Sequence, residues 1–276
     1  VYEHDRLEKI TADISDLQQC ERAVEGVDMV VHAAGVVGSA GITPSDEMIG
    51  INYNLQLTGN ILQTCWKAGV SKVLVFGSST SYPPAEHPVT ENELWSGQPH
   101  PAYFGYGWMR RYIECLAEYV SQKSSTDIIV IRPSAVYGPN DNFDPASGHV
   151  IPSLITRALS KEDPFIVWGT GNEVRDFIYA KDFAKGCLQA LRNLTKFDVI
   201  NIAKGEGVSV RELAEHVLRI TGHERADLQF DANKSMTLPI RLMDISRAKN
   251  ELGFTPAISI KDGLELTVQW RLNHLR

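Results

Sequence analysis

The feature that most constrains the fold is an alternation of short apolar runs with amphipathic helical patterns. Residues 73–76 and 128–131 are continuously apolar, as in strands that are buried on both faces of a sheet. Helical periodicity over about 54–68 and 106–120 precedes these two runs. Strands and helices that alternate at this spacing require right-handed crossovers, so the sequence predicts an α/β protein with a parallel sheet covered on both faces. In such sheets, ligands bind outside the carboxyl ends of the strands.

The same pattern begins nearer the start of the chain. Residues 9–12 and 27–31 are predicted as strands with a helix between them. Ser15 begins a capping-box sequence that ends at Gln18, and Gly26 stands where the helix is expected to end. The α/β alternation is thus expected to run from this first strand onward.

After residue 142 the strict alternation lapses. Pro, Gly and Asn are scattered among short apolar patches up to residue 175. Ser209 and Glu212 then form a second capping-box pattern before an apolar helical face, and Gly222 follows that face. We therefore expect a smaller second domain that is interleaved with the end of the sheet.

Composition narrows the class of protein. With 43% hydrophobic and 22% charged residues among 276, the chain is globular rather than disordered. Its formal net charge of −7 argues against bulk binding to nucleic acid or to an anionic membrane. No apolar run is long enough for a membrane span, and residues 1–6 lack the start of a signal peptide. We expect a soluble, cytoplasmic protein.

The spacing of cysteine and histidine argues against a metal site. The cysteines form no CxxC pair, and the histidines show no HExxH spacing. We therefore predict neither a bound metal nor a disulfide framework. The thiols are expected to be core groups, and they belong to Cys20, Cys65, Cys115 and Cys187.

A glycine pattern follows the predicted strand at 27–31. Gly35, Gly38 and Gly41 have the spacing GxxGxxG, which is typical of a loop that cradles phosphate. Phosphate binding of this kind needs a helix that begins at the loop, and Pro44 with its neighbours delays any helix. A flexible loop of small residues beside a cofactor is therefore favoured over a pyrophosphate loop.

Tyr106 and Arg110 are four residues apart in a helical pattern, which places the phenol and the guanidinium on one face. A phenol titrates at about pH 10, so a tyrosine that transfers protons needs a neighbouring cation to stabilise its phenolate. Ser78 would emerge at the same edge of the sheet, and its surroundings do not match the GxSxG elbow of a hydrolase. Taken alone, such a Tyr/Arg pair more often serves packing.

Several stretches together carry a resemblance to a known family. They are 31–35 (VHAAG), 77–83 (GSSTSYP), 106–110 (YGWMR), 132–139 (RPSAVYGP), 148–152 (GHVIP), 167–169 (VWG) and 175–177 (RDF). In this combination the chain resembles the extended short-chain dehydrogenase/reductases, the NAD-dependent epimerase/dehydratase family, over essentially its whole length. The stretch from Tyr137 to Phe143, continued at 148–152, most resembles the GDP-L-fucose synthase branch of that family.

The resemblance implies a Rossmann-type doubly wound parallel sheet and NADP(H) or NAD(H) as cofactor. It implies a dinucleotide-binding domain at 1–142 and 177–202, and a smaller α/β domain for a nucleotide sugar at 143–176 and 203–276. By comparison with the family, the chain begins near the third strand, so the first strand and glycine loop, in roughly 40 to 60 residues, are expected to be missing. The positions that match cofactor contacts are Asp13, Ile14, Ala33, Ala34, Gly35, Asn54, Tyr106, Arg110, Pro133 and Val136.

The resemblance also implies catalytic roles. Tyr106 would exchange a proton with the C4 oxygen of the sugar while hydride moves between C4 and the nicotinamide, Ser78 would polarise that oxygen, and Arg110 would touch the nicotinamide ribose. His149 matches the family's acid for inversion at C3 and C5, and Thr80 stands where the branch has a cysteine base. The positions that match substrate contacts are Asn142, His149, Val150, Arg157, Trp168, Arg175, Lys234 and Arg241.

Three functions stay open at this point. The first is an epimerase/reductase of the fucose-synthase type that acts on an NDP-4-keto-6-deoxyhexose. The second is an NDP-sugar 4-epimerase with bound NAD, or less readily a 4,6-dehydratase, because the hydroxyl of Thr80 is a poor base. The third is a catalytically silent relative that binds cofactor or sugar nucleotide, because Arg110 replaces the family's lysine. The resemblance also implies a homodimer through a four-helix bundle formed by the helices at about 54–68 and 106–120.

Overall fold

The protein is described by a computed structural model at residues 4–36, 44–144, 148–234 and 238–274, with backbone alone at 44–47. The α-helices are α1 (Leu17–Val24), α2 (Pro44–Ala68), α3 (Phe104–Lys123), α4 (Val150–Leu159), α5 (Ala180–Asn193), α6 (Val210–Ile220), α7 (Ser246–Leu252) and α8 (Ile260–Asn273). The strands are β1 (Met29–His32), β2 (Lys72–Phe76), β3 (Asp127–Pro133), β4 (Ala135–Tyr137), β5 (Phe165–Trp168), β6 (Val174–Tyr179), β7 (Phe197–Ile202), β8 (Gly207–Ser209), β9 (Leu228–Asp231) and β10 (Ile240–Arg241).

The main sheet is parallel and has the strand order β1-β2-β3-β7. One of its faces packs against α1, α2 and α3 through a cluster that includes Val73, Leu62 and Ala117. The other face packs against α5 and α7 through a cluster that includes Ile129 and Ala190. The predicted parallel sheet with helices on both faces is therefore confirmed, and it places the carboxyl ends of β1, β2 and β3 along one edge.

Three details near the start of the chain differ from the prediction. Helix α2 begins at Pro44, where the sequence predicts that any helix is delayed, because proline is tolerated in the first turn of a helix. Residues 9–12 form no strand: they join no sheet in the part of the chain that the structure describes, and Ile10 is 58% exposed. A β-branched run becomes a strand only where another strand satisfies its N–H and C=O groups. The N-cap of α1 is Asp16 rather than Ser15, because the Asp16 carboxylate accepts the hydrogen bond from the Gln18 amide, at 2.8 Å.

A second group of strands lies after β3. Strands β4, β6 and β10 are parallel, β8 pairs antiparallel with β6, and β5 pairs with β9. Helices α4, α6 and α8 bury an apolar cluster against them, and α6 begins at the predicted capping box of Ser209 and Glu212. Met243 and Phe254 lie in the sequence assigned to the smaller domain, and they pack in the same cluster as Leu74 of the main sheet.

The cysteines divide into two groups. Cys20, Cys65 and Cys187 are buried as expected, and burial raises the pKa of the Cys65 thiol to about 11. Cys115 is exposed, so the expectation that all four are core groups is wrong for this one. Its helix buries Ile113 and Ala117, and residue 115 falls on the opposite face. Within the described ranges, no helix combines the length and hydrophobicity that a bilayer crossing needs.

Candidate active site

The carboxyl edge of the main sheet brings the phenol of Tyr106 and the guanidinium of Arg110 into contact. Arg110 donates one hydrogen bond from Nη2 to Tyr106 Oη, at 2.8 Å, and another from Nη1 to the carbonyl of Phe76, at 3.0 Å. Its guanidinium carbon lies 5.1 Å from the centre of the Tyr106 ring. The spacing of four on α3 thus sets a cation beside the phenol, and the carbonyl at the end of β2 fixes that cation in place.

Ser78 follows β2 directly and lies at the same edge. It is the N-cap of a short 3-10 turn over Ser79–Ser81, in which its side chain accepts a hydrogen bond from the Thr80 amide, at 3.1 Å. The hydroxyls of Ser78 and Thr80 are 2.8 Å apart and share a hydrogen bond. Thr80 therefore lies beside Ser78 as a second hydroxyl of the site.

A buried ionic network lies behind this turn, and sequence reasoning did not find it. Arg132 of β3 forms a bidentate pair with Glu114 of α3, at 3.0 and 2.7 Å, with both side chains 4% exposed. Arg132 also donates to Tyr82 Oη, at 2.8 Å, and Tyr82 donates to Asn201 of β7, at 2.7 Å. A Cβ on Gly77 would lie 2.6 Å from a Glu114 oxygen, so the chain passes closely over the pair. The network joins the turn that carries Ser78 to the helix that carries Tyr106.

His32 is a second residue that the sequence did not assign to a role. Its ring is buried, and Nε2 lies 3.2 Å from the Thr58 hydroxyl. Burial, together with the nearby charge of Arg110, lowers the pKa of His32 to about 4. Its imidazole is therefore neutral at neutral pH, and Arg110 keeps the cationic role beside Tyr106.

The segment at 33–36 runs past the phenol. Asn54 of α2 holds it through both amide atoms, since Oδ1 accepts from the Val36 amide at 2.9 Å and Nδ2 donates to the Val36 carbonyl at 2.7 Å. Tyr106 Oη donates to the same carbonyl, at 3.4 Å. A Cβ on Gly35 would lie 2.8 Å from Asn54 Oδ1, so only glycine fits this approach without a shift.

These positions fit an extended dinucleotide. Ala33, Ala34 and Gly35 are exposed small residues along the sheet edge, as a backbone that contacts a cofactor requires. The structure places the other positions matched to cofactor contacts as follows: Asp13 accepts from the Ser15 amide at 2.9 Å, Ile14 packs against the cluster that α1 shares with the main sheet, Pro133 ends β3 and Val136 lies in β4. Gly38 and Gly41 of the glycine pattern lie outside the described residues.

His149 and its neighbours lie at the start of α4. His149 is the N-cap of that helix and is 53% exposed in its side chain, and its Nδ1 is 3.9 Å from a carboxylate oxygen of Asp141. Val150 is the first helical residue and is exposed. Asn142 follows Asp141 in the same turn, and its side chain accepts from the Asp144 amide at 3.1 Å.

A cationic surface with aromatic side chains lies on the second group of strands. Arg175 and Arg241 are register partners on β6 and β10, and burial, reinforced by the charge of Arg241, lowers the pKa of Arg175 to about 10. The guanidinium of Arg241 lies 5.5 Å from the ring centre of Tyr103. Tyr103 therefore contacts Arg241, whereas Tyr106 contacts Arg110.

The remaining predicted substrate positions are Lys234, Trp168 and Arg157. The ammonium of Lys234 lies 5.8 Å from the ring centre of Trp168, which is half-exposed. Arg157 forms a bidentate pair with Glu162 and also donates to the carbonyl of Ile166, at 2.6 Å. Its guanidinium is thus already neutralised within the chain, and its assignment to a diphosphate stays a prediction. The described residues contain no group of acidic, histidine and cysteine side chains that could hold a metal ion.

Comparisons with known proteins agree with this geometry. The NAD dependent epimerase/dehydratase family matches residues 2–203. The chain is 33% identical over 273 residues to GDP-L-fucose synthase 1 of Arabidopsis thaliana, covering 96% of this chain and 81% of that protein. It is 29% identical over 277 residues to dTDP-4-dehydro-6-deoxy-D-allose reductase of Streptomyces bikiniensis, covering 99% and 84%. Among solved structures, UDP-glucose 4-epimerase of Thermotoga maritima superposes with a TM-score of 0.85 at 25% identity, covering 95% of this chain and 84% of that chain.

The fold and these comparisons define a nicotinamide-dependent enzyme of the α/β class. The chain belongs to the NAD-dependent epimerase/dehydratase family. This assignment confirms the family and the Rossmann-type fold that the motifs predicted.

Proposed function

We propose that the protein is a nucleotide-sugar reductase and epimerase that acts on an NDP-4-keto-6-deoxyhexose with NADP(H). The observation that carries this proposal is the contact of Tyr106 with Arg110 beside Ser78, at the carboxyl edge of the sheet. The similarity to a GDP-L-fucose synthase and to a dTDP-4-dehydro-6-deoxy-D-allose reductase supports the substrate class, since the names of both relatives refer to 6-deoxy sugar chemistry.

The chain's own residues would move a proton at the C4 oxygen. Ser78 would hydrogen-bond the C4 carbonyl oxygen and draw electron density from C4. Tyr106 would give its phenolic proton to the same oxygen, and the charge of Arg110 at 2.8 Å would stabilise the phenolate that remains. A bound nicotinamide dinucleotide supplies the hydride for C4.

The residues that would hold the cofactor are those along the sheet edge. Ala33 to Gly35 would contact it through the backbone, and Asp13 and Ile14 would contact its adenine end. Arg175 and Arg241 would meet the diphosphate of the nucleotide sugar, because guanidinium groups suit bidentate contacts with phosphate. We further assign Asn142, Val150, Trp168 and Lys234 to the substrate side.

Proton exchange at C3 and C5 would depend on His149. A ketone at C4 acidifies the protons on these carbons, and an imidazole can remove and return them. Thr80 shares its hydroxyl hydrogen bond with Ser78 and is a poor base at neutral pH. We therefore place reduction at C4 first among the reactions of this site and inversion at C3 and C5 second.

The test uses the purified protein with NADPH and two probes, GDP-4-keto-6-deoxymannose and dTDP-4-keto-6-deoxyglucose. We expect NADPH oxidation with at least one of them, and no oxidation in a Tyr106→Phe variant. Tightly retained NAD with interconversion of UDP-glucose and UDP-galactose would instead support a 4-epimerase, the function named for the Thermotoga maritima structure. A folded protein that binds NADPH and turns over none of these compounds would contradict both and identify a silent relative.

We also propose that α2 and α3 form a homodimer interface with a second copy of the chain. Their outward faces expose large aromatic side chains, and the rings of Trp66 and Tyr119 meet edge to face across the two helices, with centroids 6.5 Å apart. Tyr112 is exposed on the same helix as Tyr119. Sedimentation of the protein should show a dimer that Tyr112→Glu weakens, and a monomeric wild-type protein would contradict this proposal.

A further inference from the structure

Asp141 is a carboxylate next to the imidazole of His149, and nothing in the sequence pattern assigned it a role. It lies in the turn after β4, where Asn140 has a left-handed backbone (φ +66°). His149 begins α4, so two separate elements bring the side chains together. His149 Nδ1 and Asp141 Oδ1 are 3.9 Å apart, which is ion-pair distance.

One carboxylate oxygen of Asp141 accepts a hydrogen bond, and the other has no donor among the described residues. Its side chain is 15% exposed, and Oδ1 accepts the hydrogen bond of the Asn142 amide at 2.8 Å. Oδ2 is buried and has no hydrogen-bond partner in the part of the chain that the structure describes. A buried carboxylate oxygen without a donor is costly. The imidazole Nδ1 lies 3.9 Å from the other oxygen, Oδ1, so a rotation of the carboxylate or of the ring would be needed to bring a proton on Nδ1 into hydrogen-bond range of Asp141.

We propose that Asp141 is a positioning residue that keeps a proton on His149 Nδ1 and so leaves Nε2 to act on the substrate. This inference rests on the proposed function. A carboxylate that orients an imidazole fixes its tautomer and stabilises the imidazolium that forms during proton transfer. His149 is 53% exposed, so its ring stays open to a ligand while Asp141 is mostly buried.

The step is a proton transfer that balances without any oxidant or reductant. His149 Nε2 takes a proton from C3 or C5 of the 4-keto sugar, and the electron pair of that C–H bond forms a double bond to C4. The π pair of the C4 carbonyl moves to its oxygen, where Ser78 donates a hydrogen bond. Return of a proton from Nε2 to the carbon restores the ketone, and in deuterium oxide the returned atom is deuterium.

The kinetic test compares two reactions of the same protein on the same compound, GDP-4-keto-6-deoxymannose. Asp141→Asn keeps the shape of the side chain and removes its charge. We expect deuterium exchange at C3 and C5 to slow by about tenfold or more, because correct tautomer and charge are both lost. Reduction at C4 by NADPH should change by less than about threefold, since proton transfer there belongs to Tyr106. His149→Gln should lose the exchange entirely.

Asp198 offers a matched control. Its carboxylate also accepts from the next amide, that of Val199 at 2.7 Å, and also pairs with a cation, Arg247 at 2.9 Å, but it lies near the start of β7, away from the carboxyl edge. Asp198→Asn should leave both reactions unchanged. If Asp141→Asn exchanges as fast as the wild type, or if exchange and reduction fall together, the positioning role is wrong.

A second readout does not depend on turnover. Long-range proton–nitrogen NMR spectra of the neutral histidines, with His149 assigned by the His149→Gln variant, report which ring nitrogen carries the proton. We expect Nδ1–H in the wild type and a shift towards Nε2–H in Asp141→Asn. Nε2–H in the wild type would overturn the proposal whatever the activity. If the protein neither reduces nor exchanges the probe, the proposed function fails, and this spectrum still decides the pairing of His149 with Asp141.

Discussion

The two sides of the candidate site are built differently. On the main-sheet side, the turn with Ser78 and the helix with Tyr106 are tied together by the buried pair of Arg132 and Glu114, each 4% exposed. On the smaller side, His149 and Trp168 are about half-exposed, with Asp141 beside His149 and Lys234 over the ring of Trp168. The difference indicates that the geometry around Tyr106 is fixed by the scaffold, whereas the exposed surface at His149 and Trp168 is left adaptable.

The largest expected effect is on the main-sheet side. Tyr106→Phe removes the proton donor and leaves the ring and the fold in place, so the rate of C4 reduction should fall by about 100-fold or more. Tyr103→Phe is the matched control, because Tyr103 contacts Arg241 through its ring and a phenylalanine keeps that ring. NADPH oxidation measures both. Equal rates for the two variants would remove Tyr106 from the site.

The next largest effect is on stability, and it tests whether the buried pair of Arg132 and Glu114 holds the main-sheet side of the site together. Glu114→Gln leaves the buried guanidinium of Arg132 without its counter-charge, which should lower the free energy of unfolding by about 3 kcal/mol. Glu251→Gln removes one of the two carboxylates that pair with Arg247, in a more exposed pair, and should cost less than about 1 kcal/mol. Denaturant unfolding compares them. Similar losses in both variants would mean that the buried network does not hold the site together.

A smaller effect follows from His32 and depends on pH. Its pKa is about 4 in the folded protein and about 6.5 when unfolded, so between these values only the unfolded state takes up the proton. Stability should therefore fall as pH drops through this window, by about 2 to 3 kcal/mol in total from this residue. His32→Gln should remove that share of the decline, measured as the difference between the two unfolding curves at each pH. An unchanged decline would show that His32 is not the group responsible.

The smallest effect is expected on the adaptable side. Lys234→Ala removes one exposed cation beside Trp168, so the free energy of unfolding should change by less than about 0.5 kcal/mol. Binding of GDP should weaken by several-fold at low salt and hardly at all at high salt, because exposed charges are screened. Titration calorimetry at two salt concentrations measures this. A large loss of stability in Lys234→Ala would contradict the view that the smaller side of the site is held less firmly than the main-sheet side.

The sequence predicted the parts of the fold that depend on local periodicity. The strands at 73–76 and 128–131 and the helices around them were found because burial on both faces leaves a continuous apolar run. The strand predicted at residues 9–12 is wrong, because a strand also needs a second strand to pair with and periodicity does not reveal one. The predicted burial of Cys115 is wrong, because composition alone does not reveal which face of a helix a residue occupies.

The candidate site was predictable only where its residues are close in sequence. The contact of Tyr106 with Arg110 follows from a spacing of four on one helix. The pairing of Arg132 with Glu114 joins a strand to a helix, and its two residues carry no shared pattern, so only the tertiary structure reveals it. The neutral state of His32 likewise depends on burial that the sequence does not display.

The guanidinium at position 110 has a consequence for how protons reach the site. An arginine keeps its charge over the whole pH range in which proteins stay folded, whereas a lysine can give up a proton. Arg110 therefore supplies a permanent positive charge and does not itself donate or accept a proton. In the proposed reaction, each proton that Tyr106 transfers would therefore be replaced from solvent or from the ligand, and not by loss of a proton from residue 110.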